Sequence, residues 1–401
     1  MLSNYLNLQE SDSPQVTQMA NPTIFASLGQ SGAGLVALDD LYQLQQEHAW
    51  ADGIAEIRTN HFGLNAGASY TLEWAIYPCA TNDYYDFINQ IRKDEGLNRR
   101  VEGAFAFVDR REPPSKESVY LKNLKYASVA CLGFPPDDPT VSVEGFEFVN
   151  YPQECAALKK TFEQTKKMHP GIHVMFHVAH SLYTTNKPKE LFPDSPALSM
   201  NGDQIFYGPD SLDYYGNYFS KERFEQGWRW WIFYPTSENR FGKAMIEAMD
   251  YMLNEIGATG MWADGYVRGY VPGGYSYDGW DGHSVTIDSD TKLVTKKKVC
   301  VAYAALPVLK KVAQMIHAKG GSVITNGEPG SRSLWNEDMI ASCETAGGDA
   351  NPVSALHLGR SVTPLGNQSA IENQRDVYRD IPLVLDRSEE HTSELHTIQS
   401  R

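Results

Sequence analysis

Four carboxylates stand at the same kind of place in this chain of 401 residues. Asp264 closes "GMWAD", Glu328 closes "SVITNGE", Glu344 closes "MIASCE" and Asp109 closes "FAFVD". In each case an apolar run of strand length stops on an acid. Gly follows Asp264 and Pro-Gly follows Glu328, as a break from strand to loop requires. Two carboxyl groups facing one bond can hydrolyse an acetal: one protonates the leaving oxygen, the other attacks carbon or activates water. The spacing predicts Asp264 as nucleophile and Glu328 as acid/base, with Glu344 as the alternative acid. Asp109 fits a loop ligand better than a catalyst. A lone Asp at a strand end is more often a helix cap or a turn former. Here the repetition, and the rings beside Asp264, favour chemistry.

Those rings are Trp262 and Tyr266, in a chain with 8 Trp and 22 Tyr. An aromatic face offers a flat apolar platform to the C–H face of a sugar ring. The segment "YVPGGYSYDGWDGHSVTID" that follows offers Asp278, Trp280 and Asp281 as sugar contacts. A packed surface loop, or an acidic loop of the calcium-binding kind, is the competing account. Asn326 lies two residues before Glu328 and shares its face. "WRWWIFYP" adds Tyr234, with Asn239 just beyond, and "GEPGSR" adds Arg332, which could orient an acidic group. In "HVMFHVAHS", His173 and His177 share a strand face while His180 has the opposite parity. That parity disfavours a three-histidine metal site and leaves His177 and His180 as candidate lining residues. No metal and no cofactor is expected.

Such residues need a scaffold that brings strand ends together. From about residue 103 the pattern is strand, helix, Gly, strand. Strands are expected at 103–109, 126–134, 171–181, 228–235, 257–265, 320–328, 338–346 and 352–359. Helices "PQECAALKKTFEQTKKMHP", "NRFGKAMIEAMDYMLNEIG" and "KKVCVAYAALPVLKKVAQMIHAKGG" fall between them. Repeated units of this kind, without a GxGxxG or phosphate loop, favour an α/β TIM-type (β/α)8 barrel over an open sheet. In a barrel, polar residues at the C-terminal strand ends line one mouth. Ahead of it, "TIFASLG", "GLVALDD", "ADGIAEIRTN" and "SYTLEWAIYP" read as short strands, the tail of a β-sandwich. "DYYDFINQIRKDEGL" reads as a helix capped by Asp83. The division expected is 1–78 partial β-sandwich, 79–386 barrel and 387–401 tail. "RSEEHTSELHTIQSR" in that tail resembles the translation of a sequencing adapter, so the barrel is expected to be cut before its last strand. An open barrel edge would then make the fragment poorly stable.

Composition narrows the partners. A formal net charge of −15 supplies no basic stripe for nucleic acid. "KKK" at 296–298 reads as a solvated helix start. Five scattered cysteines show no zinc spacing and no disulfide framework. No apolar run reaches the ~20 residues of a membrane span. Residues 1–15 lack the features of a signal peptide. Localisation is left open, and a secreted or periplasmic full-length protein is compatible with these features.

"GATGMWADGY" and "GGSVITNGEPGSR", behind "YTLEWAIYP" and "YYDFINQIRKD", resemble the glycosidase-like barrels of the α-galactosidase and α-glucosidase superfamily, including large environmental bacterial members. The resemblance covers roughly 70–386. It implies an Asp at the end of the fourth barrel strand as nucleophile, the position of Asp264, and a retaining O-glycoside hydrolase acting on an oligo- or polysaccharide. The "KxD" motif of typical α-galactosidases and the "DMNE" run of typical α-glucosidases are absent. A non-catalytic carbohydrate-binding barrel and a metal-dependent hydrolase barrel are the other readings.

Overall fold

The computed structural model describes residues 22–51, 53–97, 103–108, 124–129, 133–266, 269–326, 330–344 and 362–366. It begins with β1 (Thr23–Leu28), β2 (Ser31–Ala37), α1 (Asp40–Gln45), the hairpin β3 (Glu47–Ala51) and β4 (Ile54–Arg58), and β5 (Trp74–Cys79). β1, β2 and β5 form an antiparallel sheet. One face buries Phe25 and Val36 against Phe87, Ile88 and Ile91 of α2 (Tyr84–Asp94). Those three positions share one helical face, and Asp83 caps the helix by accepting from Tyr85 N at 2.8 Å, as its sequence requires.

The parallel strands are β6 (Ala104–Val108), β7 (Leu124–Val129) and β8 (His173–Ala179), with α3 (Pro152–Met168) between the last two. A long excursion follows. It holds β9 (Leu182–Thr185), the single helical turns α4 (Pro188–Leu191), α5 (Leu212–Tyr215) and α6 (Lys221–Glu225), and β10 (Arg229–Ile232). The chain then runs through α7 (Arg240–Tyr251) into β11 (Gly260–Asp264). A second excursion carries β12 (Tyr275–Ser276), β13 (Val285–Ile287), β14 (Val294–Lys297) and β15 (Val299–Cys300). The last described elements are α8 (Val301–His317), β16 (Ser322–Asn326), α9 (Arg332–Trp335), β17 (Ile340–Glu344) and β18 (Val362–Gly366).

The parallel strands close in the order β11-β16-β17-β18-β6-β7-β8. Alternation along them does the sorting. Val174, Phe176, Val178, Met261, Ala263 and Val323 face outward into a core shared with helix residues such as Leu158, Phe241 and Leu309. Phe105, Tyr126, Met175, Trp262 and Ile324 face inward and fill the barrel. Each such fully buried large side chain contributes about 1.5–3 kcal/mol. Gly257 ends the helix before β11 at φ 83°, a left-handed cap open to glycine at no steric cost.

Two expectations are corrected. "WRWWIFYP" forms β10, which pairs antiparallel with β9 outside the barrel. Its apolar run is satisfied by the excursion's own cluster around Trp230, Tyr215 and Ile232. The "KKK" run lies on and after β14 and starts no helix. Its last member, Lys298, is buried over the Tyr275 ring at 3.6 Å, and burial lowers its pKa to about 8. The strand expected at 352–359 lies outside the described residues. The seven described strands already close, with β8 paired to β11 and β18 paired to β6, so the open edge expected of a barrel cut before its last strand is not found among the described residues.

Candidate active site at the barrel mouth

Asp264 is the last residue of β11, level with Ala179 at the end of β8. Its carboxyl is anchored by three donors. Asn326 Nδ2, from the end of the neighbouring β16, and the Gly265 N–H both donate to Oδ1 at 2.8 Å. The Tyr270 hydroxyl donates to Oδ2 at 2.8 Å. Two further residues sit close: His177 Nε2 lies 3.9 Å from Oδ2, and His180 Nδ1 lies 3.2 Å from the Asp264 carbonyl oxygen. The Asp264 side chain still keeps 23% of its surface exposed. It is therefore oriented from one side and open on the other.

The floor beneath is aromatic and buried. His177 stacks on Phe107 at 5.7 Å and meets the Trp262 ring edge-on at 4.3 Å. Burial lowers the pKa of His177 and of His180 to about 4, so both are neutral imidazoles at neutral pH. His180 escapes the parity of β8 because the strand stops at Ala179. Among the described residues no three His, Cys, Asp or Glu side chains gather as a metal-ligand set.

The mouth contains a carboxyl that the strand-end pattern does not reveal. Glu144 lies between β7 and β8, and its carbonyl accepts from Ala179 N at 3.1 Å, beside the Asp264 strand end. Burial, then the charges of Glu147 and Asp264, raise its pKa to about 8. Glu147 holds the loop. Its Oε1 accepts from the N–H groups of Glu144 at 2.9 Å, Gly145 at 3.2 Å and Thr184 at 3.1 Å. A Cβ on Gly145 would sit 1.9 Å from the Leu182 carbonyl oxygen, so only glycine permits this approach. The available sequence signal is the oddity of two glutamates inside the apolar run "VSVEGFEFV". The first excursion adds Tyr207, whose ring meets Tyr270 at 4.8 Å and is 38% exposed.

The remaining sequence candidates are dispersed. Trp262 is 1% exposed and Tyr266 2%, so both are packed beneath the mouth and present no open face to a sugar. Tyr234 is buried and donates to Asp278 Oδ2 at 2.7 Å, while Ser276 Oγ donates to Asp278 Oδ1 at 2.6 Å. Asp281 accepts from the N–H groups of His283, Ser284 and Cys300 and from Ser284 Oγ, which makes it a loop clamp. Trp280 lies under Lys297 Nζ at 3.7 Å. Arg332 is engaged bidentately by Glu95, at 2.7 and 2.9 Å, against the N-terminal sheet and its helix. Asn239 caps α7. Glu344 ends β17. Asp109 and Glu328 lie outside the described residues, as does the Glu344 side chain.

No family model matches the chain. No curated protein matches it either. Among solved structures it is similar to the α-N-acetylgalactosaminidase NagBb from Bifidobacterium bifidum, at 9% identity and a TM-score of 0.49, over 90% of this chain and 67% of that one. It is also similar to the GH36 α-galactosidase AgaA from Geobacillus stearothermophilus bound to 1-deoxygalactonojirimycin, at 11% identity and 0.48, over 87% and 48%. A third is Kfla1895 in complex with isomaltose, at 10% and 0.42, over 86% and 48%. This chain thus spans about half the length of the last two. These are similarities of chain course alone, at TM-scores below 0.5.

Proposed function

We propose that the chain is a glycoside hydrolase that cleaves O-glycosidic bonds of an oligo- or polysaccharide by a retaining two-carboxylate mechanism, with Asp264 as nucleophile. The observation that carries this is the Asp264 carboxyl itself. It stands at the end of a barrel strand, held by Asn326, Gly265 and Tyr270, with one side open. Oδ1 takes two hydrogen bonds and Oδ2 one, so Oδ2 keeps the freer lone pair for attack on an anomeric carbon. A carboxylate positioned in this way forms a glycosyl ester that water then opens. Asn326 and Tyr270 would fix its orientation throughout. The neutral His177 and His180 add no competing positive charge at neutral pH. Glu328 and Glu344 are the proton-donor candidates that the strand-end pattern offers, and neither side chain lies among the described residues.

Turnover of 2,4-dinitrophenyl α- and β-glycosides of galactose, glucose and N-acetylgalactosamine tests the reading. Asp264→Asn is expected to abolish it while leaving sugar binding intact. Unchanged turnover would remove Asp264 from the chemistry. Sugar binding without turnover in the unmodified protein would make the barrel a carbohydrate-binding module.

A further inference from the structure

We infer that Glu144 is the acid/base partner of Asp264: a carboxylic acid that protonates the glycosidic oxygen and then takes a proton from the attacking water. The inference rests on the glycosidase reading of Asp264. One backbone contact places Glu144 beside Asp264, and two features of its surroundings suit the role. Its backbone is bonded to Ala179, the residue level with Asp264 across adjacent parallel strands, which run about 4.8 Å apart. Its loop is built for fixity. Buried Glu147 clamps the Glu144 and Gly145 N–H groups, and Gly145 is pressed against the Leu182 carbonyl. Finally, the Glu144 charge acts on the phenol of Tyr270, which binds Asp264, and on that of Tyr214 in the first excursion.

The electrostatics fit both halves of a retaining cycle. The groups acting on Glu144 are Glu147 and Asp264, with the phenols of Tyr270 and Tyr214 near it and the neutral His177 and His180 on the Asp264 side. With Asp264 charged, Glu144 keeps its proton to about pH 8. In the first step Asp264 Oδ2 bonds to the anomeric carbon, the carbon–oxygen bond to the leaving group breaks, and the Glu144 proton goes to that oxygen. Asp264 is now a neutral ester, and one of the charges that raised the Glu144 pKa is gone. Glu144 is then a carboxylate able to act as base. In the second step water oxygen bonds to the anomeric carbon, its proton goes to Glu144, and the ester bond breaks to restore the Asp264 carboxylate. Bonds, protons and charge balance, with water as the only co-reactant.

The test uses Glu144→Gln and Glu144→Ala with the dinitrophenyl glycoside that the unmodified protein turns over and with the corresponding methyl glycoside. The dinitrophenolate leaves without a proton, whereas methanol does not. Glu144→Gln is expected to lower kcat/KM about 10²–10⁴-fold on the methyl glycoside and far less on the dinitrophenyl one. It should also lose the basic limb of the pH profile near 8. Azide should accelerate Glu144→Ala and give a glycosyl azide with the configuration of the substrate. Equal losses on both substrates, no azide product and an unchanged basic limb would overturn the inference. If Asp264→Asn is inactive in that case, the glycosidase reading survives with another proton donor. An active Asp264→Asn, or an unmodified protein inert on every glycoside, overturns both.

Discussion

Asp264 and Asp281 follow similar sequence, an acid beside tryptophan and glycine, yet the fold uses them in opposite ways. Asp281 binds three backbone N–H groups and a hydroxyl, at 2.5–2.9 Å, and ties β15 to the loop before β13. Asp264 takes one backbone donor, from its own neighbour; its other two donors are side chains from separate segments. A carboxylate surrounded by main-chain donors holds the chain in place. One oriented by side chains, with a face left open, is itself held in place by the chain. Two acids of equal promise in sequence are separated by the kind of donor each meets.

Substitution should separate them along two different axes. The largest effect is expected at Asp264. Asp264→Asn keeps shape and most hydrogen bonds but removes the attacking charge, so kcat should fall about 10⁴-fold. Its melting temperature should stay within ~2 °C of the unmodified protein, since no buried donor is orphaned. A large drop in melting temperature would turn Asp264 into a second clamp and erase the contrast.

Asp281→Ala should do the reverse. It leaves the N–H groups of His283, Ser284 and Cys300 without their acceptor. Each orphaned buried donor costs about 1–3 kcal/mol, and partial access of water brings the total to roughly 3 kcal/mol. A thermal melt should fall by roughly 4 °C, with kcat of the folded fraction unchanged. A stable variant without activity would place Asp281 in the site after all.

A smaller effect is expected at Tyr270. Its hydroxyl donates to Asp264 Oδ2, and burial together with the Asp264 charge raises its pKa, so the phenol stays a donor. Tyr270→Phe removes one bond to a charged group, worth about 1.5–3 kcal/mol. Part of that returns as a less stabilised, more nucleophilic carboxylate, leaving a loss of about tenfold in kcat. A loss confined to KM would make Tyr270 a sugar contact and nothing more.

The contrast between clamp and site is only half legible in sequence. The near-continuous apolar runs in "HVMFHVA" and "GMWAD" announce strands buried on both faces, and the glycine past each helix announces the turn into the next strand. Those signals are local. Asp264 is legible because a strand end is a local feature and a barrel gathers strand ends. Glu144 is not, because its place depends on Glu147 folding back on the loop and on a backbone bond to Ala179, neither of which has a periodic trace. Trp262 misleads for a related reason. Its position within β11 points it down into the barrel with Phe107 and His177, whereas proximity in sequence to Asp264 suggests a wall of the mouth. "WRWWIFYP" shows the limit of apolar runs, which mark burial without naming the sheet.

The finest distinction between a clamp and a site carboxyl is its dependence on pH. Folded Glu144 keeps its proton to about pH 8, against an ordinary value of 4.5. Between those values the folded chain binds more protons than the unfolded chain, so this group makes stability fall as pH rises. An amide in its place could not ionise, and the slope would vanish. Glu144→Gln should therefore melt with the unmodified protein near pH 4 and progressively above it as pH approaches 8, by a few degrees. The histidines depressed to about 4, His48, His61, His177 and His180, work in the opposite sense. They supply stability above about pH 6.5 that is lost as pH falls toward 4, but they do so in both proteins and cancel in the difference. Asp281→Ala, by comparison, should melt lower at every pH from 5 to 9. A pH-independent gap between Glu144→Gln and the unmodified protein would mean that Glu144 ionises like a surface glutamate, and its role as a proton carrier would fall with it.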